Sequence, residues 1–278
     1  MGELDPNDAD IGNMKGTKFY ACPNCSNVIS STGEAEISHW GRRLQPTWVV
    51  DERSMTMKTN FNPIDLQTWP RGQMFHYFSK MAPTGYSLTV ELDVTVMKDA
   101  LKERKIKFFP AYLWLVVTML NRQIEFKVAV QDEVLGYWDT LTPLYAVFHE
   151  DDKTISLMWT EYDEKFSVFY QNYLENHQQY GNNHGVLSQP DKLPPENSCI
   201  ISCVPWIEFK HFSVQSFENK PYYFPSIEAG RIFEENGYMM LPLSMTLHHA
   251  TTDGWHVKRF LDDIQHAMNH PQGWLEGY

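Results

Sequence analysis

The chain has 278 residues, and its 42% hydrophobic and 14% aromatic content supports a sizeable core in one large domain or two unequal ones, which excludes disorder for most of its length. Acidic side chains outnumber basic ones 35 to 23, giving a formal charge of −12, and no basic cluster of the sort that tracks a phosphate backbone occurs, so nucleic acid is not expected as a partner. The acidic leader Met1-Gly2-Glu3-Leu4-Asp5 lacks the pattern of a signal peptide and the longest apolar run, Ala111 to Leu120, is too short to span a bilayer; a soluble, cytoplasmic protein with no membrane contact is expected.

Residues 1 to 55 differ in character from the rest and read as a module appended to a second domain, residues 56 to 278. Within that module Cys22-Pro23-Asn24-Cys25 sets two thiols on a tight loop, where they can occupy adjacent corners of a tetrahedral zinc or iron site. His39 is the candidate third ligand and no fourth is evident, so a filled metal site and a metal-free relic both stand. From Phe61 onward, helix and strand signals alternate. Pro70 opens a short helix over Trp69–Phe78, and the period-two pattern of Tyr86–Val94 predicts a half-buried strand. Helices are predicted over Val96–Glu103 and Phe109–Gln123, then strands over Lys127–Val130, Leu144–His149 and Thr154–Thr160. Residues 163–180 read as a helix, and Gly181–Asn197 as a polar, proline-bearing loop. The closing block is strand-rich, with strands predicted over Ser198–Val204, Phe212–Gln215, Ser226–Phe233 and Tyr238–Leu247. Helices interleaved with short alternating strands, without any Gly-x-Gly-x-x-Gly, predict a layered α/β domain on a mixed β-sheet rather than a dinucleotide fold. Cys199 and Cys203 lie four apart on one face of a strand and read as core, and four cysteines in two close pairs suit a reducing compartment or a metal better than a disulfide framework.

The densest chemistry follows the last predicted strand, in Met245-Thr246-Leu247-His248-His249-Ala250-Thr251-Thr252-Asp253-Gly254-Trp255-His256. A neutral imidazole takes a proton from a bound hydroxyl or thiol when its other ring nitrogen is held by an acceptor that fixes the tautomer. Adjacent side chains of an extended segment point to opposite faces, so only one of His248 and His249 can face a cleft. Asp253 stands at a turn with Gly254, placed to brace the segment, and Val257 to Met268 reads as a helix leaving that turn. His248, His249, Asp253 and His256 are also candidate zinc or iron ligands, although no His-Glu-x-x-His pair or second ligand cluster accompanies them.

From Asn60 to the end the chain resembles the chloramphenicol acetyltransferase family. The resemblance is carried by Phe61-x-x-Ile64-Asp65-Leu66-x-x-Trp69-x-Arg71, Tyr86-Ser87-Leu88-Thr89, Ala146-Val147-Phe148-His149, Ser202-Cys203-Val204-Pro205-Trp206, Leu241-Pro242-Leu243-Ser244 and the histidine motif. It implies a two-layer sandwich of the CoA-dependent acyltransferase fold and a homotrimer with its sites between subunits. Acetyl-CoA is the implied co-substrate and a small molecule the acceptor. The resemblance assigns the general base to His249 and a hydrogen bond to the oxyanion to Ser202, whose plain alternative is an ordinary strand serine. It pairs Asp253 with Arg71 as a brace for the histidine segment, and places Trp206 against the pantetheine arm of CoA. Tyr77, Phe78, Thr84, Phe212 and Glu228 fall at acceptor-binding positions. The N-terminal module weakly resembles a desulforedoxin-type metal ribbon, with His39-Trp40 where a cysteine pair would be expected.

The chain departs from the family pattern at several of these places. Thr246 replaces a glutamine, Trp255 a phenylalanine or tyrosine, Thr84 a common cysteine and Ala82 a bulkier apolar residue. Glu228 stands where the family generally has threonine, and an ionised carboxylate beside a developing oxyanion would oppose catalysis. The expected function is acetyl transfer from acetyl-CoA to a hydroxyl of chloramphenicol, inactivating the antibiotic. The alternatives are a different hydroxyl, thiol or amine acceptor, and a non-catalytic metal-sensing role resting on Cys22 and Cys25.

Overall fold

The computed structural model describes residues 60–190, 192–215 and 222–276, together with the backbone of five short strands nearer the N-terminus. The chain divides into two units, Met1–Lys58 with Gln189–Leu193, and Thr59–Ser188 with Pro194–Tyr278. In the first, β1 (Lys18–Ala21) pairs antiparallel with both β2 (Val28–Ser31) and β5 (Trp48–Val49), and β3 (Ser38–His39) pairs with β4 (Arg42–Arg43). Cys22, Cys25 and the His39 side chain lie outside the described residues, and with them the zinc or iron site expected there.

The long strand β15 (Tyr238–His248) organises the second unit. Along one of its edges runs β7 (Gly85–Asp93), antiparallel, in register from Met240↔Asp93 to His248↔Gly85. The other edge is shared by β13 (Ser226–Ala229) and β14 (Phe233–Glu235), both antiparallel to it. Outward from β13 come β12 (Ser198–Cys203) and β10 (Thr142–His149), each parallel to its inner neighbour, and then β11 (Thr154–Trp159), antiparallel to β10. The mixed sheet expected from the sequence is therefore present.

Alternation along β15 sorts its side chains by face. Leu241, Leu243, Met245 and Leu247 are buried in the main core with Ile201, Ile227 and Ala229, while Ser244, Thr246 and His248 point to the opposite face. Over the apolar face lie α2 (Thr95–Glu103), α3 (Phe108–Asn121), α4 (Phe166–Tyr180) and α5 (Gly254–Asn269), which completes two layers. Because α3 touches α4, α5 and the sheet, its turns from Ala111 to Val117 are buried on every side, which explains an apolar run without helical periodicity. Each such side chain contributes roughly 1.5–3 kcal/mol by leaving water. A second, antiparallel sheet of β6 (Phe61–Pro63), β9 (Val134–Trp138) and β8 (Val128–Gln131) and the short α1 (Gly72–His76) accompany a satellite core of Phe75, Val128, Tyr223 and Ala250.

Three expectations are corrected. The helix expected over Trp69–Phe78 begins later, because Asp65 caps a turn at Gln67 and Thr68, and it continues as a π-helical turn over Tyr77–Met81. Phe212–Gln215 is not a strand: the β15 edges are filled by β7, β13 and β14, and this segment instead gives the Phe212 carbonyl to the Ser244 hydroxyl. The strand expected over Ser226–Phe233 is two, β13 and β14, parted at Gly230, where a Cβ would lie a tight 3.0 Å from the Phe209 ring and 3.1 Å from the Ile207 carbonyl. Strands β6 and β9 were not expected from the sequence.

Candidate active site

His248 ends β15, and the chain then turns through His249–Thr252 into α5. The turn is held by the His248 carbonyl, which accepts from the backbone N–H groups of Thr251 (3.1 Å) and Thr252 (3.2 Å) and from both threonine hydroxyls. Those threonines are buried, so their hydroxyls find partners inside the fold. The His248 ring packs edge-on to Tyr223, and its Nδ1 accepts the Ala250 N–H at 3.1 Å. Burial, and then the neighbouring His249, lower its pKa. The His248 ring is thereby held in its neutral form.

His249 leaves the sheet. Its backbone N–H donates to the Thr84 carbonyl at 2.8 Å, and its Nδ1 lies 2.9 Å from the Thr252 carbonyl oxygen. A carbonyl only accepts, so Nδ1 carries the hydrogen and Nε2 presents a lone pair. The ring lies against Phe78, with centroids 4.1 Å apart, and meets the edge of Tyr86 at 5.3 Å. Tyr86 is itself fixed by donating to the Thr252 hydroxyl at 3.2 Å, and burial raises its pKa, so the phenol stays neutral beside the imidazole. The two adjacent histidines thus occupy different surroundings, His248 against Tyr223 and His249 against Phe78 and Tyr86.

Arg71 and Asp253 clamp this turn. One terminal nitrogen of Arg71 lies 2.6 Å from Asp253 Oδ2 and the other donates to the His249 carbonyl at 3.3 Å, so a single guanidinium joins the aspartate to the histidine backbone. Asp253 also caps α5, accepting the Trp255 N–H at 3.0 Å, with His256 Nδ1 2.9 Å from its Oδ1. Burial alone would raise the Asp253 pKa, but the Arg71 hydrogen bond, the His256 charge and the Trp255 N–H outweigh it and bring the carboxyl to about 2. Beyond His256, its Nε2 lies 3.7 Å from Glu125 Oε1, and the His256 hydrogen bond is the chief cause holding the Glu125 carboxyl below its ordinary pKa. Glu125 was not singled out in the sequence, and Tyr86 and Thr252 stood within motifs without a role, because the parts they play arise only from tertiary contact.

The other candidates form a second group, in the middle of the sheet. Register sets Ser202 of β12, Glu228 of β13, Ser244 of β15 and Thr89 of β7 in one row across four strands. The row lies on the face away from the helices, since the flanking residues Ile201, Ile227 and Met245 belong to the main core. Ser244 and Thr89 join through their hydroxyls at 3.1 Å. Ser202 is half-buried and its carbonyl accepts from the Tyr112 hydroxyl at 3.3 Å. Glu228 is fully buried, its Oε1 accepting from the Ser226 hydroxyl and its Oε2 without a partner. Burial pushes its pKa up to about 7, against a smaller lowering by Ser226.

Of the acceptor-site candidates, Tyr77, Phe78 and Thr84 thus gather at His249, whereas Phe212 and Glu228 gather with Ser202. Trp206, beyond β12, is 56% exposed and meets Phe148 edge-on at 4.8 Å. The histidine motif with its aspartate is tied to a guanidinium and a carbonyl, leaving no trio of donors converging there for a metal among the described residues. A cleft of about 680 Å³ between α3, α4 and the C-terminal residues, lined by Trp114, Arg122, Lys165 and Trp274, contains none of the candidates.

Residues 59–265 match the family model described as chloramphenicol acetyltransferase. The chloramphenicol acetyltransferase of Clostridium perfringens is 35% identical over 217 residues, covering 77% of this chain and 98% of that protein. That of Vibrio anguillarum is 37% identical over 209 residues, covering 75% and 94%. Among solved structures, a chloramphenicol acetyltransferase superposes with a TM-score of 0.68 at 20% identity, covering 75% of this chain and all of the other. An Azotobacter vinelandii dihydrolipoamide acetyltransferase gives 0.52 at 16% identity, covering 73% and 88%. These last two likenesses establish the CoA-dependent acyltransferase fold.

Proposed function

Because the chain belongs to the chloramphenicol acetyltransferase family, and is accordingly an acyltransferase, we propose that it transfers the acetyl group of acetyl-CoA to a hydroxyl of chloramphenicol, with His249 as general base. The observation that carries this reading is the Nδ1 contact to the Thr252 carbonyl, which leaves Nε2 as the free base. His249 Nε2 takes the hydroxyl proton while the oxygen attacks the thioester carbonyl. The intermediate oxyanion accepts a hydrogen bond from Ser202. Its collapse breaks the carbon–sulfur bond, and the departing thiolate takes the proton back from the imidazolium. General base catalysis contributes on the order of 10²–10⁴-fold, and one oxyanion donor roughly 10²–10³-fold. The relatives' names specify chloramphenicol and so do not favour another hydroxyl, thiol or amine acceptor.

Within one protomer the base and the oxyanion donor stand far apart. His248 lies four residues along β15 from Ser244, roughly 13 Å at strand rise, and Ser202 lies two strands across, roughly 10 Å, so the separation is on the order of 16 Å. One carbonyl cannot be served by both. This supports a site assembled between protomers, as in the homotrimer the family resemblance implies, with His249 from one and Ser202 and Trp206 from the next. No helix is long and apolar enough to cross a membrane among the described residues, and a cytoplasmic antibiotic-inactivating enzyme is the setting this chemistry fits.

The test is thiol release from acetyl-CoA with and without chloramphenicol, for the native protein and His249→Ala. Release that requires chloramphenicol and is lost in the variant is the expected result. Release that survives the variant, or no release from an assembled oligomer, would overturn the assignment.

A further inference from the structure

The burial of Glu228 is not explained by its neighbours. The residue is fully buried, its Oε2 has no partner, and no charged group contributes to its titration. Its register partner on parallel β12 is Ser202, on the same face and roughly 4.8 Å away between backbones. Ser202 is half-buried, and its backbone carbonyl accepts from the Tyr112 hydroxyl. A buried carboxyl oxygen without a partner is costly, and Ser202 carries a hydroxyl one strand away on the same face.

We propose that Glu228 is a positioning residue for the oxyanion donor: as a carboxylic acid it donates to Ser202 Oγ and leaves the serine hydrogen free for the oxyanion, and as a carboxylate it captures that hydrogen and disables Ser202. The proposal rests on the acetyl-transfer reading above. The chemistry is a switch in hydrogen-bond direction, with no covalent step. A hydroxyl has one hydrogen, so donation to a carboxylate and donation to the oxyanion exclude each other. Burial supports the assignment, since a carboxyl near pH 7 with no cationic partner exists in both states at neutral pH.

The tyrosines and the cysteine nearest this row do not titrate at neutral pH. Tyr112 of α3 and Tyr222, ahead of β13, are held neutral because burial raises both phenols. Burial pushes the Cys203 thiol of β12 up to about 11. Across the row, β15 offers only Ser244, and β7 offers Thr89 next to His211, whose Nδ1 lies 3.4 Å from the threonine hydroxyl. Glu91 of β7 is already paired with Lys210 at 2.7 Å.

Two measurements test the proposal. The first is the pH dependence of kcat for acetyl transfer in the native protein, Glu228→Gln and His211→Gln. The native enzyme is expected to lose on the order of tenfold between pH 7 and 8.5, following the carboxyl, and His211→Gln to do the same. Glu228→Gln, whose amide donates at every pH, is expected to lose this fall. A flat native profile over that range, or the same fall in Glu228→Gln, overturns the proposal. The second needs no turnover: an infrared difference between native protein and Glu228→Gln should show a protonated carboxyl at pH 6 that disappears by pH 8.5 and shifts in Ser202→Ala. A carboxyl already ionised at pH 6, or indifferent to Ser202→Ala, overturns it even if chloramphenicol is not the acceptor, while absence of chloramphenicol turnover with a normal infrared signature refutes only the acceptor.

Discussion

Arg71→Ala removes two bonds at once, because the guanidinium holds Asp253 Oδ2 at 2.6 Å and the His249 carbonyl at 3.3 Å. The Arg71 side chain is 12% exposed and that of Asp253 38%, so the pair lies between a buried bridge, whose one-sided loss costs about 3–5 kcal/mol, and a surface bridge worth about 0–1 kcal/mol. The Asp253 carboxyl, drawn from its ordinary value near 3.8 to about 2, gives an independent scale. That lowering is shared among Arg71, His256 and the Trp255 N–H, and solvent screens so exposed a group, so the part owed to Arg71 is about 1 kcal/mol. Adding the His249 carbonyl left without its donor, at about 1 kcal/mol, the expected loss is about 2 kcal/mol, or roughly 4–8 °C in Tm for a unit of this size. Arg71→Lys offers a single point donor and cannot span both acceptors, so it should fall between the two. The same variants should lower kcat by at least tenfold through displacement of the His249 turn, since misplacement of a catalytic group by about 1 Å costs on the order of 10²-fold. Thermal unfolding and steady-state kinetics on the assembled protein measure both. Native Tm and kcat in Arg71→Ala would refute the clamp.

Acid should weaken the same element: because the Asp253 pKa is depressed in the fold, its contribution is present above about pH 4 and is lost as pH falls toward about 2, so urea titrations of native protein and Asp253→Asn should converge over that window. Ser202→Ala should lower kcat roughly 10²–10³-fold with little change in KM, since the hydroxyl meets charge that exists only beyond the ground state. Glu125→Gln should free the far side of His256 and cost under about 1 kcal/mol of stability, seen as faster amide exchange at the first turn of α5. Phe78→Leu removes the face against which the His249 ring packs at 4.1 Å, and should reduce kcat without unfolding the protein, as circular dichroism alongside turnover would show.

Much of this was legible where local pattern and packing agree. The buried stretch in α3, the alternation in β7 and the helix after Asp253 follow from periodicity and capping residues, and the structure keeps them within a few positions. The Asn236-Gly237 pair at the β14–β15 turn carries positive φ at both residues, a turn signature that would have divided the last strands. Strand β9 escaped because its two-residue turn uses Asp132-Glu133, also at positive φ, without the glycine that marks such turns. Phe212–Gln215 has strand-like residues, but the strand it meets, β15, already has both edges paired. At the site, the histidine, aspartate and arginine were visible as residue types, whereas the Thr252 carbonyl that fixes the tautomer is a backbone atom that no residue pattern displays. The separation of His249 from Ser202 likewise depends on strand register, which sequence spacing does not give.

A site divided between protomers can be tested directly by mixing two crippled variants, His249→Ala and Ser202→Ala, dissociating and reassembling them, and following chloramphenicol-dependent thiol release. If base and oxyanion donor come from different chains, random reassembly restores both in about a quarter of the sites, and activity rises well above that of either variant alone. If each site draws both residues from one chain, every reassembled site lacks one of them, and activity stays at the level of the unmixed variants.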